Sequence, residues 1–146
     1  YPFRIKVTGR VKQFINAFGE ELIVENADLA LEHATRECDV SLVDFTAGPI
    51  FMEAGNQAGH EWIIECSEIP ENRDKFIRVL DDKLKEINSD YDAKRHLDMA
   101  LTMPKVHFVA KGSFYSWMSR RGKVGGQHKV PRLANDREYL DDFFKN

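Results

Sequence analysis

"DVSLVDFTAGPIF" (residues 39–51) and "HEWIIECSEI" (residues 60–69) decide the fold, because both runs combine β-branched and aromatic residues in the manner of strands. The residues between them, "MEAGNQAG" (52–59), contain the glycines and asparagine that are typical of a loop. Together the three stretches predict a β-hairpin whose loop is longer than a tight turn.

The second strand of this hairpin contains a histidine next to a glutamate, His60 and Glu61, a pair that is capable of acid-base chemistry. Neighbouring residues on a strand point to opposite faces of the sheet, so the two side chains are not expected to share one site. We assign Trp62 and Ile64, together with Phe45 of the first strand, to the core.

Two helices and a strand are predicted after the hairpin. "PENRDKFIRVLDDKLKEINSD" (70–90) begins with a proline and acidic residues, which suit a helix N-terminus, and its "DDKLKE" is interpreted as a solvent-exposed face. "YDAKRHLDMAL" (91–101) is the second helix, and the alternation in "KVHFVA" (105–110) predicts the strand. The apolar face of the first helix consists of Phe76, Ile77, Leu80, Leu84 and Ile87.

The chain opens with a predicted hairpin over residues 1–19. "FRIKVTG" alternates apolar and basic residues as a half-buried strand does, and "KQFINAF" follows as a second short strand. Gly9 and Arg10 form the turn between these strands, and Gly19 ends the hairpin.

Three further helices complete the pattern. One begins at Asn26 as its N-cap and reaches about residue 38, one runs from Ser113 as its cap to Gly122, and the last is "NDREYLDDFF" (135–144). The order of elements predicts one α+β domain over residues 1–146. In it, helices pack on a small mixed β-sheet, as in the split-βαβ (ferredoxin-like) folds, and the short hairpin comes first.

Composition is that of an ordinary globular domain, with 146 residues, 42% of them hydrophobic and 31% charged. Cys38 and Cys66 lie far apart without metal-ligand spacing, which predicts no metal site and favours reduced thiols over the alternative of a single disulfide, for which the sequence gives no support. Neither a long apolar run nor a signal-peptide layout is present, so a cytoplasmic location is predicted. The chain starts without methionine inside a strand-like alternation, which indicates a piece of a longer protein.

The charges are unevenly distributed. The formal net charge is -3, which gives no uniform attraction to nucleic-acid duplexes or anionic membranes. Residues 111–134, the basic segment, nevertheless contain six of the 21 lysines and arginines and none of the 24 acidic residues. Concentrating like charges costs self-repulsion, so we expect an anion or an acidic surface to bind there.

"GKVGGQHKVPR" (122–132), the glycine-rich loop, lies within this basic segment. Its glycines permit backbone conformations and close approaches that suit phosphate binding, but it does not match the phosphate-loop spacing GxxxxGK[ST]. A solvated surface loop and a phosphate site both remain open on pattern alone. Tyr115 and Trp117 stand at helical spacing, which favours packing against the sheet over stacking on nucleic-acid bases.

Two separated motifs carry a resemblance to a known family: "TGRVKQFINAFGEELIVENADLAL" (8–31) and "SFYSWMSRRGKVGGQHKVPRLANDR" (113–137). They resemble the beginning and end of the C-terminal domain of the acyl-acid amido synthetases, the auxin-responsive family of plants, and most closely its bacterial relatives. Around the hinge the plant enzymes look different. The resemblance implies a ligase in which a large N-terminal domain binds ATP, with magnesium, and a carboxylic acid, and a small C-terminal domain moves over that site.

The resemblance also implies roles for individual residues. "GRVK" is similar to the hinge of adenylate-forming enzymes, which places Gly9 and the pivot Lys12 at the hinge. In "GQHKVPR", Lys129 would be the catalytic lysine that enters the active site for adenylation, with Lys123 as the second candidate. Nucleotide or phosphate contacts are implied for Arg10, Lys123, Gln127 and Arg132.

Two functions of different classes follow. In the first, the chain is the C-terminal mobile lid of a synthetase that joins a small carboxylic acid to an amine such as an amino acid. Residues 1–19 would then be its hinge hairpin and 111–134 its catalytic loop region. Its partner would be its own N-terminal nucleotide-binding domain, with no nucleic acid or membrane involved, and the isolated domain is expected to be inactive. The alternative is a stand-alone module that binds an anion or RNA through residues 111–134.

Overall fold

The computed structural model of the chain describes residues 13–53, 57–96, 100–122 and 130–145. Over these residues the chain forms two small β-sheets and five helices. The elements are, in order, β1 (Phe14–Ile15), β2 (Leu22–Ile23), α1 (Val24–Glu37), β3 (Leu42–Ile50), β4 (Gly59–Cys66), α2 (Arg73–Ile87), α3 (Ser89–Arg95), β5 (Lys105–Val109), α4 (Ser113–Arg120) and α5 (Glu138–Phe144).

The larger sheet has the strand order β3-β4-β5. β3 and β4 form the predicted antiparallel hairpin, in which Phe45 pairs with Ile64 and Ala47 with Trp62. β5 joins β4 in parallel after the crossover through α2 and α3, so the sheet is mixed, as predicted. The predicted α+β fold is confirmed.

Helices cover both faces of the sheet, and β4 is buried along its whole length. Trp62 and Ile64 face the main core with α1 and α2, whereas Ile63 faces a smaller core with α4 and α5. The predicted core positions Phe45, Trp62 and Ile64 are therefore confirmed, with the rings of Phe45 and Trp62 stacked at 6.0 Å. A strand covered on both faces must be apolar on both, which explains the continuous run "WII".

Two helix caps differ from the sequence-based expectation. α1 begins at Val24, so Asn26 lies in the first turn, where its side chain accepts a hydrogen bond from the Ile23 amide at 3.1 Å. α4 has Gly112 as its N-cap with φ of 94°, and the hydroxyl of Ser113 donates to the Ala110 carbonyl instead. Asn26 thus takes the third helical position of a capping box, where it accepts from the backbone of the N-cap residue Ile23.

The helix α2 also begins later than predicted, because Asn72 rather than Pro70 caps it by accepting from the Lys75 amide at 3.0 Å. On its predicted apolar face Phe76, Leu80 and Leu84 are fully buried, while Ile77 and Ile87 are half-buried. At the N-terminal end of the chain, the described part of the predicted strand 12–18 is paired only at Phe14–Ile15. Its partner is Leu22–Ile23.

The expectation that "DDKLKE" is a solvent-exposed face is wrong at Asp81, which is fully buried. Arg95 binds it through two hydrogen bonds of 2.6 and 2.8 Å, and the Tyr91 hydroxyl donates to it at 2.6 Å. Burial alone would raise the pKa of Asp81, but the hydrogen bonds and charge of its partners outweigh burial and lower the pKa. An ion pair inside the core therefore fixes α3 against α2.

Replacing Asp81 tests this ion pair. Asp81→Asn leaves the buried Arg95 guanidinium without its counter-charge, so we expect the free energy of unfolding to fall by roughly 3–5 kcal/mol. Asp82→Asn is the matched control, since the neighbouring Asp82 is exposed and should change stability by less than about 0.5 kcal/mol. Chemical denaturation of both variants measures the difference, and equal losses would contradict the assignment.

The pH dependence of stability gives a second test of the same pair. A lowered pKa in the folded state means that ionised Asp81 stabilises the fold fully above its ordinary pKa of 3.8 and progressively less below it. We therefore expect the stabilities of the unaltered chain and Asp81→Asn to converge as the pH falls from 5 towards 2. A gap that stays constant over this range would contradict a lowered pKa.

Candidate functional site

The site implied by the resemblance consists of the hinge and the glycine-rich loop. Its members Gly9, Arg10, Lys12, Lys123, Gln127 and Lys129 lie outside the described residues, and their roles stay predictions. Arg132 is described, as are the residues that flank both motifs. The structure therefore describes the geometry of the residues on either side of the hinge and of the glycine-rich loop.

The residues that follow the glycine-rich loop, the exit segment (130–136), lie along the free edge of β3. The Thr46 hydroxyl donates to the Pro131 carbonyl at 2.8 Å, and the Ala47 amide donates to the Arg132 carbonyl at 2.9 Å. The Ala134 amide returns a hydrogen bond to the Ala47 carbonyl at 3.2 Å, as in a parallel bridge. Leu133 is buried between them, so the exit segment is fixed to the sheet.

Gly48 allows this close approach. A Cβ at position 48 would lie 2.9 Å from the main-chain oxygen of Asp136 and 2.9 Å from Cδ1 of Leu140. Such separations are shorter than van der Waals contact, so the exit segment can reach its position only because residue 48 has no side chain.

The residue that follows the predicted pivot is in contact with the exit segment. The side-chain oxygen of Gln13 accepts a hydrogen bond from the Arg132 amide at 3.1 Å. The amide of Asn16 donates to the side-chain oxygen of Asn135 at 2.8 Å. Each contact joins residues that are 119 positions apart in the chain. The flank of the hinge and the flank of the glycine-rich loop are thus neighbours in the fold.

Arg132 keeps its guanidinium accessible. Its Nη1 lies 3.5 Å from the carboxylate of Asp28 on α1, and the two side chains are 57% and 46% exposed. Exposed pairs of this kind contribute roughly 0.2–1 kcal/mol, so a phosphate could replace Asp28 at little cost. The position of Arg132 therefore fits the predicted contact to a nucleotide or phosphate.

Arg121, by contrast, is held where the glycine-rich loop begins. It pairs with Asp142 at 2.7 Å and stacks on Tyr139 at 5.1 Å and Trp117 at 5.9 Å. The buried indole of Trp117 donates to the same Asp142 carboxylate at 2.7 Å. The basic segment thus carries less free charge than its sequence suggests, because Arg121 is used to attach α4 to α5.

Of the three aromatic residues of α4, Tyr115 and Trp117 lie in different environments. Trp117 is 1% exposed and packs between the sheet and α5, as predicted, whereas Tyr115 is 68% exposed and the prediction that it packs against the sheet is wrong. An open depression of about 480 Å³ also lies beside this helix. Its polar lining consists of Lys111, Ser113, Ser116 and Arg120.

The prediction that His60 and Glu61 point to opposite faces is confirmed. Glu61 accepts hydrogen bonds from His107 at 2.6 Å and Arg137 at 2.8 Å. Burial alone would raise the pKa of Glu61, but these bonds and the nearby positive charges lower it. Arg137 also donates to the Pro49 carbonyl at 2.9 Å, so Glu61 helps to hold the residue that directly follows the exit segment against the sheet.

Sequence reasoning did not identify the residues that support the site, namely Gln13, Asp28, Gly48 and Asn135. Gln13 directly follows the hinge motif, which is a signal that could have been used. The others carry no local pattern, since each acts through a partner that is distant in sequence.

The described residues give no indication of a resident metal or a membrane span. Over residues 13–53, 57–96, 100–122 and 130–145, no cluster of three histidine, cysteine, aspartate or glutamate side chains is arranged to hold a metal ion. Within the same ranges, every helix is too short or too polar to cross a membrane.

Comparison with known proteins gives one family. The GH3 family C-terminal domain matches residues 25–138. A solved structure described as "GH3.15 acyl acid amido synthetase" matches with a TM-score of 0.71 and 19% identity, covering 92% of this chain and 25% of that one. A second, "AtGH3.15 acyl acid amido synthetase in complex with 2,4-DB", gives 0.70 and 19% over the same shares.

This chain therefore spans about a quarter of the length of the solved structures it matches. At this level of identity the likeness to them shows the fold. No match was found among curated proteins.

Adding a methyl group at Gly48 tests how the exit segment is placed. Gly48→Ala forces the main chain near Asp136 to move, so we expect a loss of roughly 1–3 kcal/mol and faster amide exchange at Ala47 and Ala134. The control is Gly59→Ala on the paired strand, where the nearest atom is the Thr102 hydroxyl, which can rotate away. Hydrogen exchange and denaturation measure both variants. Unchanged exchange at Ala134 in Gly48→Ala would show that Gly48 does not position the exit segment.

Proposed function

The chain belongs to the GH3 family, as a C-terminal domain matched over residues 25–138, and from this we propose that it is the mobile lid of an ATP-dependent acyl-acid amido synthetase. The observation that carries the proposal is the hydrogen bond from the Arg132 amide to Gln13, at 3.1 Å. It joins the flank of the proposed hinge to the flank of the loop that contains Lys129. A rotation at the hinge would therefore carry that loop with it.

The reaction has two steps. The carboxylate of the acid attacks the α-phosphate of ATP and pyrophosphate leaves, and an amine such as an amino acid then displaces AMP to form an amide. In the first step two anions must approach each other. A cation between them stabilises the crowded transition state more than the separated reactants, and this is the role that we propose for Lys129.

ATP with magnesium would be bound mainly by an N-terminal domain, and this chain would add contacts from one side. The proposed contacts come from Arg10, Lys123, Gln127 and Arg132. The exposed Arg132 guanidinium, held by Asp28 at 3.5 Å, fits that role because a phosphate oxygen offers it a stronger partner than an exposed carboxylate. Lys123 is the second candidate for the catalytic lysine.

The hinge would be Gly9 and Lys12 within residues 1–19. A turn with glycine at its side can absorb the change in backbone torsion that a lid rotation requires, whereas a helix could not. The segment after it, from Gln13 onward, is already attached to the exit segment. Alternate placement of Lys129 over the N-terminal domain and away from it would separate adenylation from amide formation.

Several finer points belong to the same proposal. Residues 8–31 resemble bacterial relatives more than plant ones, which supports a bacterial member of the family that acts in the cytoplasm. The acid and the amine would be small molecules bound largely by the N-terminal domain, so the lid by itself is expected to be inactive. The alternative of a stand-alone RNA or anion module is not favoured, given the family match and the attachment of Arg121 to Asp142.

The Lys129→Ala variant of the full-length enzyme tests the proposal. We expect ATP–pyrophosphate exchange, which reports adenylation, to fall about 10²-fold or more, because the charge that stabilises the transition state is lost. Conversion of preformed acyl-adenylate to amide should stay close to that of the unaltered enzyme. Lys123→Ala removes the second candidate lysine of the same loop and is the comparison variant, which should lose less exchange than Lys129→Ala.

Two outcomes would change the assignment. Undiminished exchange in Lys129→Ala with a loss in Lys123→Ala would move the catalytic role to Lys123. An unaltered full-length protein that shows no exchange with any carboxylic acid would contradict the proposed function itself.

A further inference from the structure

Glu20 is a buried carboxylate in the turn between β1 and β2, and it organises that turn. Its side chain is 0% exposed and accepts hydrogen bonds from the amides of Ala17 at 2.8 Å and Phe18 at 2.7 Å. Burial alone would raise the pKa of Glu20, but the bonds and charge of its partners lower it, which keeps it ionised at neutral pH. The turn is therefore wrapped around a fixed negative charge.

The third partner of Glu20 is His60, on the central strand of the larger sheet. Its Nε2 lies 2.6 Å from Oε2 of Glu20, and the ring is 1% exposed. On its other side the ring packs against Tyr91 at 5.5 Å, which in turn donates to Asp81. The Glu20–His60 contact thus connects the turn to the middle of the core.

Other contacts also hold this segment, because Ile15 and Leu22 are fully buried in the main core. β1 and β2 are two residues each, and a two-stranded hairpin of that length is not stable by itself. The hydrogen bonds of Gln13 and Asn16 to the exit segment are exposed, and each contributes only about 0.5–1.5 kcal/mol. Apolar packing of Ile15 and Leu22 is not directional, so the orientation of the turn between β1 and β2 depends on Glu20 and His60.

We propose that Glu20 and His60 are positioning residues that set the direction of the turn between β1 and β2, and through it the orientation of residues 13–23, against the sheet. The inference rests on the proposed function, because it concerns how a rotation at the hinge reaches the glycine-rich loop. A buried carboxylate whose hydrogen bonds are satisfied by fixed partners selects one geometry. Here that geometry fixes the direction in which the domain leaves the hinge, and hence where Lys129 arrives.

The experiment compares Glu20→Gln with Asp81→Asn in the full-length enzyme. Both replace a fully buried carboxylate by an amide of similar size, but Asp81 is linked to the Glu20–His60 pair indirectly, through Tyr91, which donates to Asp81 and packs on the His60 ring. Melting temperature measures the structural damage, and pyrophosphate exchange with its kcat and KM for ATP measures adenylation. Hydrogen exchange of peptides covering residues 13–20 measures local opening.

We expect Glu20→Gln to lower kcat for pyrophosphate exchange about 10-fold or more with little change in KM for ATP, because misplacement affects the transition state. Residues 13–20 should exchange faster in this variant. Asp81→Asn should lower the melting temperature at least as much, yet change kcat less than about threefold. His60→Gln, which keeps an amide donor for Glu20, should retain more activity than His60→Ala.

Equal losses of kcat in Glu20→Gln and Asp81→Asn would overturn the inference and leave only a structural role. That result would not touch the proposed function, which the Lys129→Ala variant tests separately. Absence of pyrophosphate exchange in the unaltered enzyme would overturn both.

Discussion

The strand β4 is buried on both faces, and the attachment of the surrounding elements depends on this. Its ionisable side chains cannot reach water, so they must find partners inside the protein. His60 reaches the turn before β2 through Glu20, and Glu61 reaches β5 and Arg137. Glu65 accepts from the amides of Gly112 and Phe114 and so fixes the beginning of α4. One strand therefore positions the N-terminal turn, the start of α4 and Arg137, the residue that directly follows the exit segment.

These attachments explain how a small domain can present two distant stretches of sequence on one side. The exit segment lies on the edge of β3 because Gly48 leaves room for it, and Gln13 binds the same segment. The arginines next to these two stretches lie in two different environments. Arg121 is used to join α4 to α5, whereas Arg132 remains at the surface next to an exposed aspartate. The proposed delivery of a cation to phosphates would need such a division between structural and accessible arginines.

The sequence predicted well what depends on local pattern and poorly what depends on distant partners. Alternation and apolar runs identified the β3-β4 hairpin and the core residues Trp62 and Ile64, and the two motifs identified the family. Asp81 was misjudged because its partner Arg95 lies on another helix, so nothing near it distinguishes it from Asp82. The Gln13–Arg132 contact could not be predicted, because no periodicity relates residues 119 positions apart.

The two tryptophans of the chain lie on opposite faces of the sheet. Their intrinsic fluorescence therefore reports on two different parts of the protein. Trp62 is enclosed by the main core, whereas the indole of Trp117 bonds to Asp142 and lies beneath the Arg121 guanidinium. A charged neighbour and a hydrogen-bonded ring nitrogen both influence indole emission. Fluorescence from Trp117 would therefore follow events at the base of the glycine-rich loop, while that from Trp62 would follow the integrity of the core.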